Sequence, residues 1–151
     1  MAEQDRTSRL LATWFGCGNS PIAPGTVGSL GTLPLHFALR ALGPQAYLVG
    51  TLAAVGVGVW ASHRTALALG EKDPQRVVID EVAGTLIALG LCRGRGLSAG
   101  ILAFVLFRVF DVVKPGVIDK VQYAKPVGLG IMADDVLAGL LAGVLARLVA
   151  R

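Results

Sequence analysis

Apolar residues in this chain come in long runs rich in Leu and Ala, separated by short polar or glycine- and proline-rich breaks. Strict alternation with a period of two, the mark of a half-buried strand, is scarce. The pattern predicts an all-α fold, a compact bundle of about six apolar helices. A short helix is expected over 6–14, followed by a loop over 16–28 in which Gly16, Gly18, Gly25, Gly28, Pro21 and Pro24 are too dense for regular helix. Further helices are predicted over 27–42, 44–69, 77–91, 97–112 and 134–147, with breaks at 43–44, 71–74, 93–96 and 115–130. Asp134 reads as the N-cap of the last helix, after Gly128 and Gly130, with Asp135 in a first turn whose dipole favours negative charge. Gly50, Ala54 and Gly58 recur every four positions, as do Gly139 and Gly143, and each set leaves a flat strip for close helix contact.

A chain of 151 residues suits one domain, spanning 1–151, with one core and one site. Its hydrophobic fraction of 54% and mean hydropathy of +0.65 lie above those of an ordinary soluble domain. No charged residue occurs between Arg40 and His63, so 44–62 approaches the roughly 20 residues that a membrane-crossing helix needs. The runs 82–92, 97–107 and 136–146 are shorter and suit buried or obliquely inserted helices. Partial or whole membrane association is therefore expected, by integral, re-entrant or peripheral attachment. The polar stretch 1–9 leads into only a few apolar residues, which is not the pattern of a secretory signal peptide.

The net charge of +4 suits anionic lipid headgroups. No basic stripe alternates with exposed aromatics, so nucleic acid is not an expected partner. Cys17 and Cys92 lack metal-site or redox spacing and read as small buried residues. His36 and His63 sit on apolar helices without a nearby acid, which favours structural roles. Trp14, Trp60 and Tyr47 suit either a membrane interface or the core.

The acidic residues carry the chemistry. Glu3, Asp5, Glu71, Asp73 and Asp119 fall in polar stretches, whereas Asp80, Glu81, Asp111, Asp134 and Asp135 are set against strongly apolar sequence. An unpaired carboxylate in such surroundings costs several kcal/mol and is protonated, paired or metal-bound. Only Arg108 and Lys114 lie close in sequence, and a hard divalent ion such as Mg²⁺, with its preference for oxygen ligands, would neutralise the remainder. The carboxylates would gather the metal, and Arg108 and Lys114 a phosphate. Taken singly, Asp80 and Glu81 also suit helix N-terminal stabilisation, and Arg108, Asp111 and Lys114 a structural salt-bridge network.

The loop over 18–29 has no lysine and no Walker A spacing, which argues against a nucleotide triphosphatase. Gly25, Thr26 and Ser29 nevertheless stand where a helix begins, and backbone amides there, with the hydroxyls, suit a phosphate as well as they suit a simple turn and cap. No GxSxG elbow or cysteine nucleophile signature is present.

Four motifs together resemble the bacterial phosphatidylglycerophosphatase A family. They are the 16–29 run with Asn19-Ser20-Pro21 and Pro24-Gly25-Thr26, Asp80-Glu81 with Gly84, Arg108 and Asp111 leading to Lys114-Pro115, and Asp134-Asp135 with Gly139. They occur in the family's order over most of the chain. Ile79 departs from the family, where tryptophan is frequent, and so does Gly116, where a bulky residue is common. The resemblance implies an all-helical protein of the inner membrane that acts from the cytoplasmic side. It implies hydrolysis of phosphatidylglycerophosphate to phosphatidylglycerol and phosphate with Mg²⁺.

In that reading Asp80, Glu81, Asp111, Asp134 and Asp135 hold one or two Mg²⁺ ions and provide catalysis. Arg108 and Lys114 neutralise the phosphoryl group, and Gly25, Thr26, Ser29 and Asn19 position it. Attack by water and a phosphoaspartyl intermediate are both compatible with these residues. The alternative from another class is a non-catalytic helical membrane scaffold or transport subunit whose acids pair with cations or conduct ions.

Overall fold

A computed structural model describes residues 2–150, with side chains from Arg6 onward. Among these residues the regular structure is entirely helical, as the apolar runs predict. The elements are α1 (Ala2–Ala12), a 3₁₀ turn (Cys17–Asn19), α2 (Pro24–Gly31), α3 (Leu33–Leu42), α4 (Pro44–Leu69), α5 (Ile79–Leu91), α6 (Leu97–Val113), α7 (Val117–Val121) and α8 (Val127–Val149).

The break expected over 115–130 holds the short helix α7, and two boundaries differ more widely from expectation, each for a local reason. The helix expected over 27–42 is two helices: α2 starts earlier, at Pro24, behind Ala23 in a left-handed conformation with φ +45°, and ends at Thr32. Pro34 lies in the first turn of α3 and has no N–H to give to the preceding turn, so the chain breaks at Thr32, whose hydroxyl donates back to the Gly28 carbonyl at 2.9 Å. The second difference concerns Asp134, which is not an N-cap. α8 begins seven residues before it, at Val127, with Pro126 at the N-cap. Gly128 and Gly130 read as loop residues in the sequence, yet they lie inside the helix because their bare backbones fit against neighbours. A Cβ at Gly128 would collide with the Val59 carbonyl, and one at Gly130 would meet the Ala124 carbonyl at 2.8 Å.

α5 and α8 form the closest pair. Gly84 and Gly139 face one another, and a Cβ at Gly143 would lie 2.9 Å from the Ala88 carbonyl. Phe107 of α6 is fully buried against Gly84. This α5–α6–α8 core fixes the N-terminal end of α5, the C-terminal end of α6 and the second turn of α8 in one place.

Much of the outer surface is apolar. Leu97, Ile101, Val105, Val109 and Val112 form an exposed stripe along α6, and Leu140, Leu141, Val144, Leu145 and Leu148 are at least two-fifths exposed on α8. α4 and α8 are long and apolar enough to cross a membrane. An apolar stripe running the length of a helix marks contact with lipid or protein. With the two long helices, it fits membrane association.

Candidate active site

The four motifs wall a single open cavity of about 530 Å³. Gly25 and Thr26 at the start of α2, Asp80 and Glu81 in the first turn of α5, Arg108, Asp111 and Lys114 at the end of α6, and Asp134 and Asp135 in α8 all line it. α2 brings its N-terminus to the rim. Pro24 carries no N–H, and the amides of Gly25 and Thr26 precede the first intrahelical bond, from Val27 N–H to the Ala23 carbonyl at 3.1 Å. A side chain at Gly25 would collide with Glu81 Oε1, so glycine lets this helix start press against the acids.

Arg108 bridges two of the acids. Its Nη1 donates to Glu81 Oε2 and lies 3.0 Å from Asp111 Oδ2, three residues further along the same helix. Glu81 Oε2 also accepts the Ser29 hydroxyl at 2.8 Å. Lys114 caps α6 in a left-handed conformation, φ +46°, and its Nζ donates to Asp134 Oδ2 at 2.5 Å. Non-glycine residues rarely adopt that conformation, so the cap stores backbone strain at a residue whose ammonium faces the cavity. Asp80 Oδ1 accepts the Glu81 N–H at 3.0 Å.

The electrostatics follow from crowding. Burial, and then the Glu81 and Asp134 carboxylates, hold the Asp80 carboxyl well above the ordinary carboxylate range. Burial and then Asp111 raise Glu81, with Arg108 working in the opposite direction. Burial opposes the charge on Lys114, but its hydrogen bond to Asp134 and the attraction of the Asp134, Asp111 and Asp135 carboxylates together outweigh this, and the ammonium is held more firmly than in water.

The five acids expected from the sequence, joined on the cavity wall by Asp73, stand against two cations and leave excess negative charge, and the donor set suits a hard cation. One carboxylate oxygen each from Glu81, Asp111 and Asp135 lies within 4.8 Å of the others. Asp135 Oδ2 and Asp134 Oδ1 are buried without a hydrogen-bond partner. A buried carboxylate oxygen left in that state is costly unless a cation meets it. The trio therefore fits an oxygen-preferring divalent ion such as Mg²⁺.

Not every residue expected at the site faces the cavity in the expected way. Asp80 and Asp134, grouped in the sequence with the metal-holding acids, lie outside the trio: Asp134 is taken up by Lys114, and Asp80 stands beside it on the cavity wall. Ser29, expected to hold phosphate, is fully buried and directs its proton to Glu81 instead. Asn19 lines a neighbouring cavity of about 440 Å³ with Gln75 and Arg76. Asp73 and Pro74, which the sequence reads as part of the break over 71–74, line the main cavity, as does Gln75 beside them. The signal available there was the short distance from Pro74 to the Asp80-Glu81 pair.

A family model described as phosphatidylglycerophosphatase A matches residues 10–150. The chain belongs to the phosphatidylglycerophosphatase A family. It is 39% identical over 140 residues to phosphatidylglycerophosphatase A of Escherichia coli, covering 90% of this chain and 80% of that protein. It is 37% identical over 134 residues to the Haemophilus influenzae protein of the same name, covering 88% and 82%. A Bacteroides thetaiotaomicron protein described as a candidate phosphatidylinositol-3-phosphatase is 44% identical over 138 residues, covering 87% and 86%. No solved structure matches the chain. The four motifs that carry the phosphatidylglycerophosphatase A resemblance are the same four that wall the cavity.

Proposed function

We propose that this protein is a phosphatidylglycerophosphatase that hydrolyses the terminal phosphomonoester of phosphatidylglycerophosphate to phosphatidylglycerol and inorganic phosphate, with Mg²⁺, in phospholipid synthesis. The observation that carries this reading is the gathering of six carboxylates, a guanidinium and an ammonium into one cavity of a family member with an apolar exterior. A scaffold or transport subunit has no comparable use for a helix start aimed at paired acids and cations.

In this reading Glu81, Asp111 and Asp135 hold the Mg²⁺, which when bound supplies Lewis-acid polarisation of the phosphoryl oxygens. Lys114 and Arg108 offset the charge that builds on those oxygens, and the Gly25 and Thr26 amides orient them. Water attacks phosphorus in line, the bond to the glycerol oxygen breaks, and that oxygen leaves with a proton. Asp80, which faces the cavity without a cationic partner among the described residues, exchanges the proton. Ser29 acts on Glu81 and not on the phosphate.

The test is phosphate release from phosphatidylglycerophosphate in mixed micelles, with Mg²⁺ and with chelator. Release with Mg²⁺ and none in chelator is expected; no release with Mg²⁺, or full release in chelator, overturns the reading. A lipid panel that includes phosphatidylinositol 3-phosphate, the substrate class in the Bacteroides relative's name, reads the headgroup preference.

The same proposal places the protein in the bacterial inner membrane with the cavity towards the cytoplasm. Lys72, Arg76, Arg108, Lys114, Lys120 and Lys125 stand at the cavity end, against Arg40, Arg93, Arg95 and Arg147 at the other. That bias accords with the tendency of cytoplasmic loops to carry Lys and Arg. A cysteine at the exposed Tyr123 should react with a membrane-impermeant maleimide in inverted vesicles and not in spheroplasts; the reverse pattern refutes the orientation.

A further inference from the structure

At the end of the bundle away from the acids, a second cavity of about 250 Å³ opens between α3, the C-terminal end of α5 and the start of α6. Its walls are apolar, with Leu33, Phe37, Leu89, Leu97 and Phe104 among them, and none of its lining residues is acidic. Two arginines stand in the lining, Arg40 from α3 and Arg93 from the link after α5. Arg93 lies over the Tyr47 ring, 5.0 Å from its centre, and Tyr47 is fixed by donating to the Leu86 carbonyl at 2.8 Å. His36, buried beside Tyr47 with Nδ1 2.7 Å from its hydroxyl, completes the floor. Burial, and then Arg40 and Arg93, push the His36 pKa down, so the positive charge here belongs to the arginines. Arg147 adds a third guanidinium at this end, donating to the Leu91 carbonyl at 2.8 Å.

We propose that this cavity is a second lipid site, separate from the reaction cavity, that holds one anionic phospholipid with its phosphate on Arg40 and Arg93 and one acyl chain against Leu33, Phe37, Leu97 and Phe104. Charge complementarity selects the headgroup, since two guanidiniums with no acid in the lining suit a phosphate oxygen pair. Continuity selects an amphiphile over a free anion. Leu97 and Ile101 line the cavity and also begin the exposed apolar stripe of α6, so a chain can enter sideways from surrounding lipid. The inference rests on membrane association and not on the phosphatase reading.

The experiment is native mass spectrometry of the full chain released from mixed micelles holding equal amounts of phosphatidylglycerol and phosphatidylcholine. Wild type should retain one phosphatidylglycerol in preference to phosphatidylcholine. Arg40→Ala, at an exposed position, should lower that retention about fivefold, and the Arg40→Ala/Arg93→Ala pair about thirtyfold, with the helical circular dichroism unchanged. Gly100→Leu should lower retention of both lipids, because a Cβ there meets nothing closer than 3.9 Å and the larger side chain fills the cavity. Equal retention of the two lipids by wild type, or no change in the arginine variants, overturns the proposal. So does loss of retention in Lys114→Ala alone, which would assign the lipid to the reaction cavity. Displacement of the lipid by inorganic phosphate at the same concentration would reduce the cavity to an anion site and overturn it as well.

Discussion

Gly84 and Gly139 bring α5 and α8 into backbone contact: a Cβ on Gly139 would lie 2.5 Å from the Gly84 carbonyl oxygen. One turn towards the cavity from this contact stand Glu81 on one helix and Asp135 on the other. The distance between two members of the acidic trio is thus set by two residues that have no side chain.

Gly139→Ala should therefore damage the site without touching it. The added methyl meets backbone, which yields less readily than a side chain, and overpacking of this kind costs about 1–3 kcal/mol. The expected result is a lowered unfolding midpoint in detergent together with reduced Mg²⁺-dependent phosphate release. Unchanged activity in a destabilised variant would show that the trio tolerates a wider separation.

Asp135→Asn and Asp111→Asn should each lower turnover about a hundredfold or more, the scale on which electrostatic and acid–base groups contribute. Asp135→Asn should also raise the Mg²⁺ concentration needed for half-maximal rate, because it removes one charge from a buried cluster. A metal titration alongside the activity assay checks both. Helical content must be compared with wild type, since breaking a buried charged network can unfold a chain.

Ser29→Ala separates two roles. If Ser29 positions Glu81, its loss costs about 1.5–3 kcal/mol of stability, as for a buried hydrogen bond to a charged group, and KM for the lipid stays near wild type. Thr26→Ala, on the cavity wall, should raise KM with little effect on stability. The opposite assignment of the two effects would return Ser29 to the phosphate.

Arg108→Lys keeps the charge and loses the planar fork. A lysine ammonium does not reproduce the pairing of Arg108 with both Glu81 and Asp111. Turnover should fall at least about tenfold, with Arg108→Ala lower still. Equal activity of wild type and Arg108→Lys would make the bridge dispensable.

The parts of this architecture that depend on local composition were legible in the sequence. α4 covers 44–69 as the apolar pattern and its flanking breaks predict, running past the uncharged stretch 44–62, and acids set in apolar sequence do converge, because burying them separately would cost too much. What local pattern does not carry is which neighbour a residue meets. Gly128 and Gly130 look like loop glycines until the Val59 and Ala124 carbonyls are seen against them. Pro34 looks like one position in an apolar run until its missing amide is set against the turn it interrupts. Ser29 sits three residues from Thr26, close to a helix start, and sequence spacing does not reveal that Glu81, 52 positions away, receives its proton.

The early start of α8 has a consequence for Asp134 and Asp135. Successive residues in a helix point about 100° apart, so two neighbours well inside a helix address different surroundings. Asp134 turns to Lys114 and Asp135 to the trio. Rotational phase along α8, set by where Pro126 lets the helix begin, decides which carboxylate serves which purpose. A single residue added upstream of Asp134 within α8 would carry Asp134 into Asp135's surroundings and turn Asp135 about 100° further, into those of Val136, while leaving the composition of the site intact.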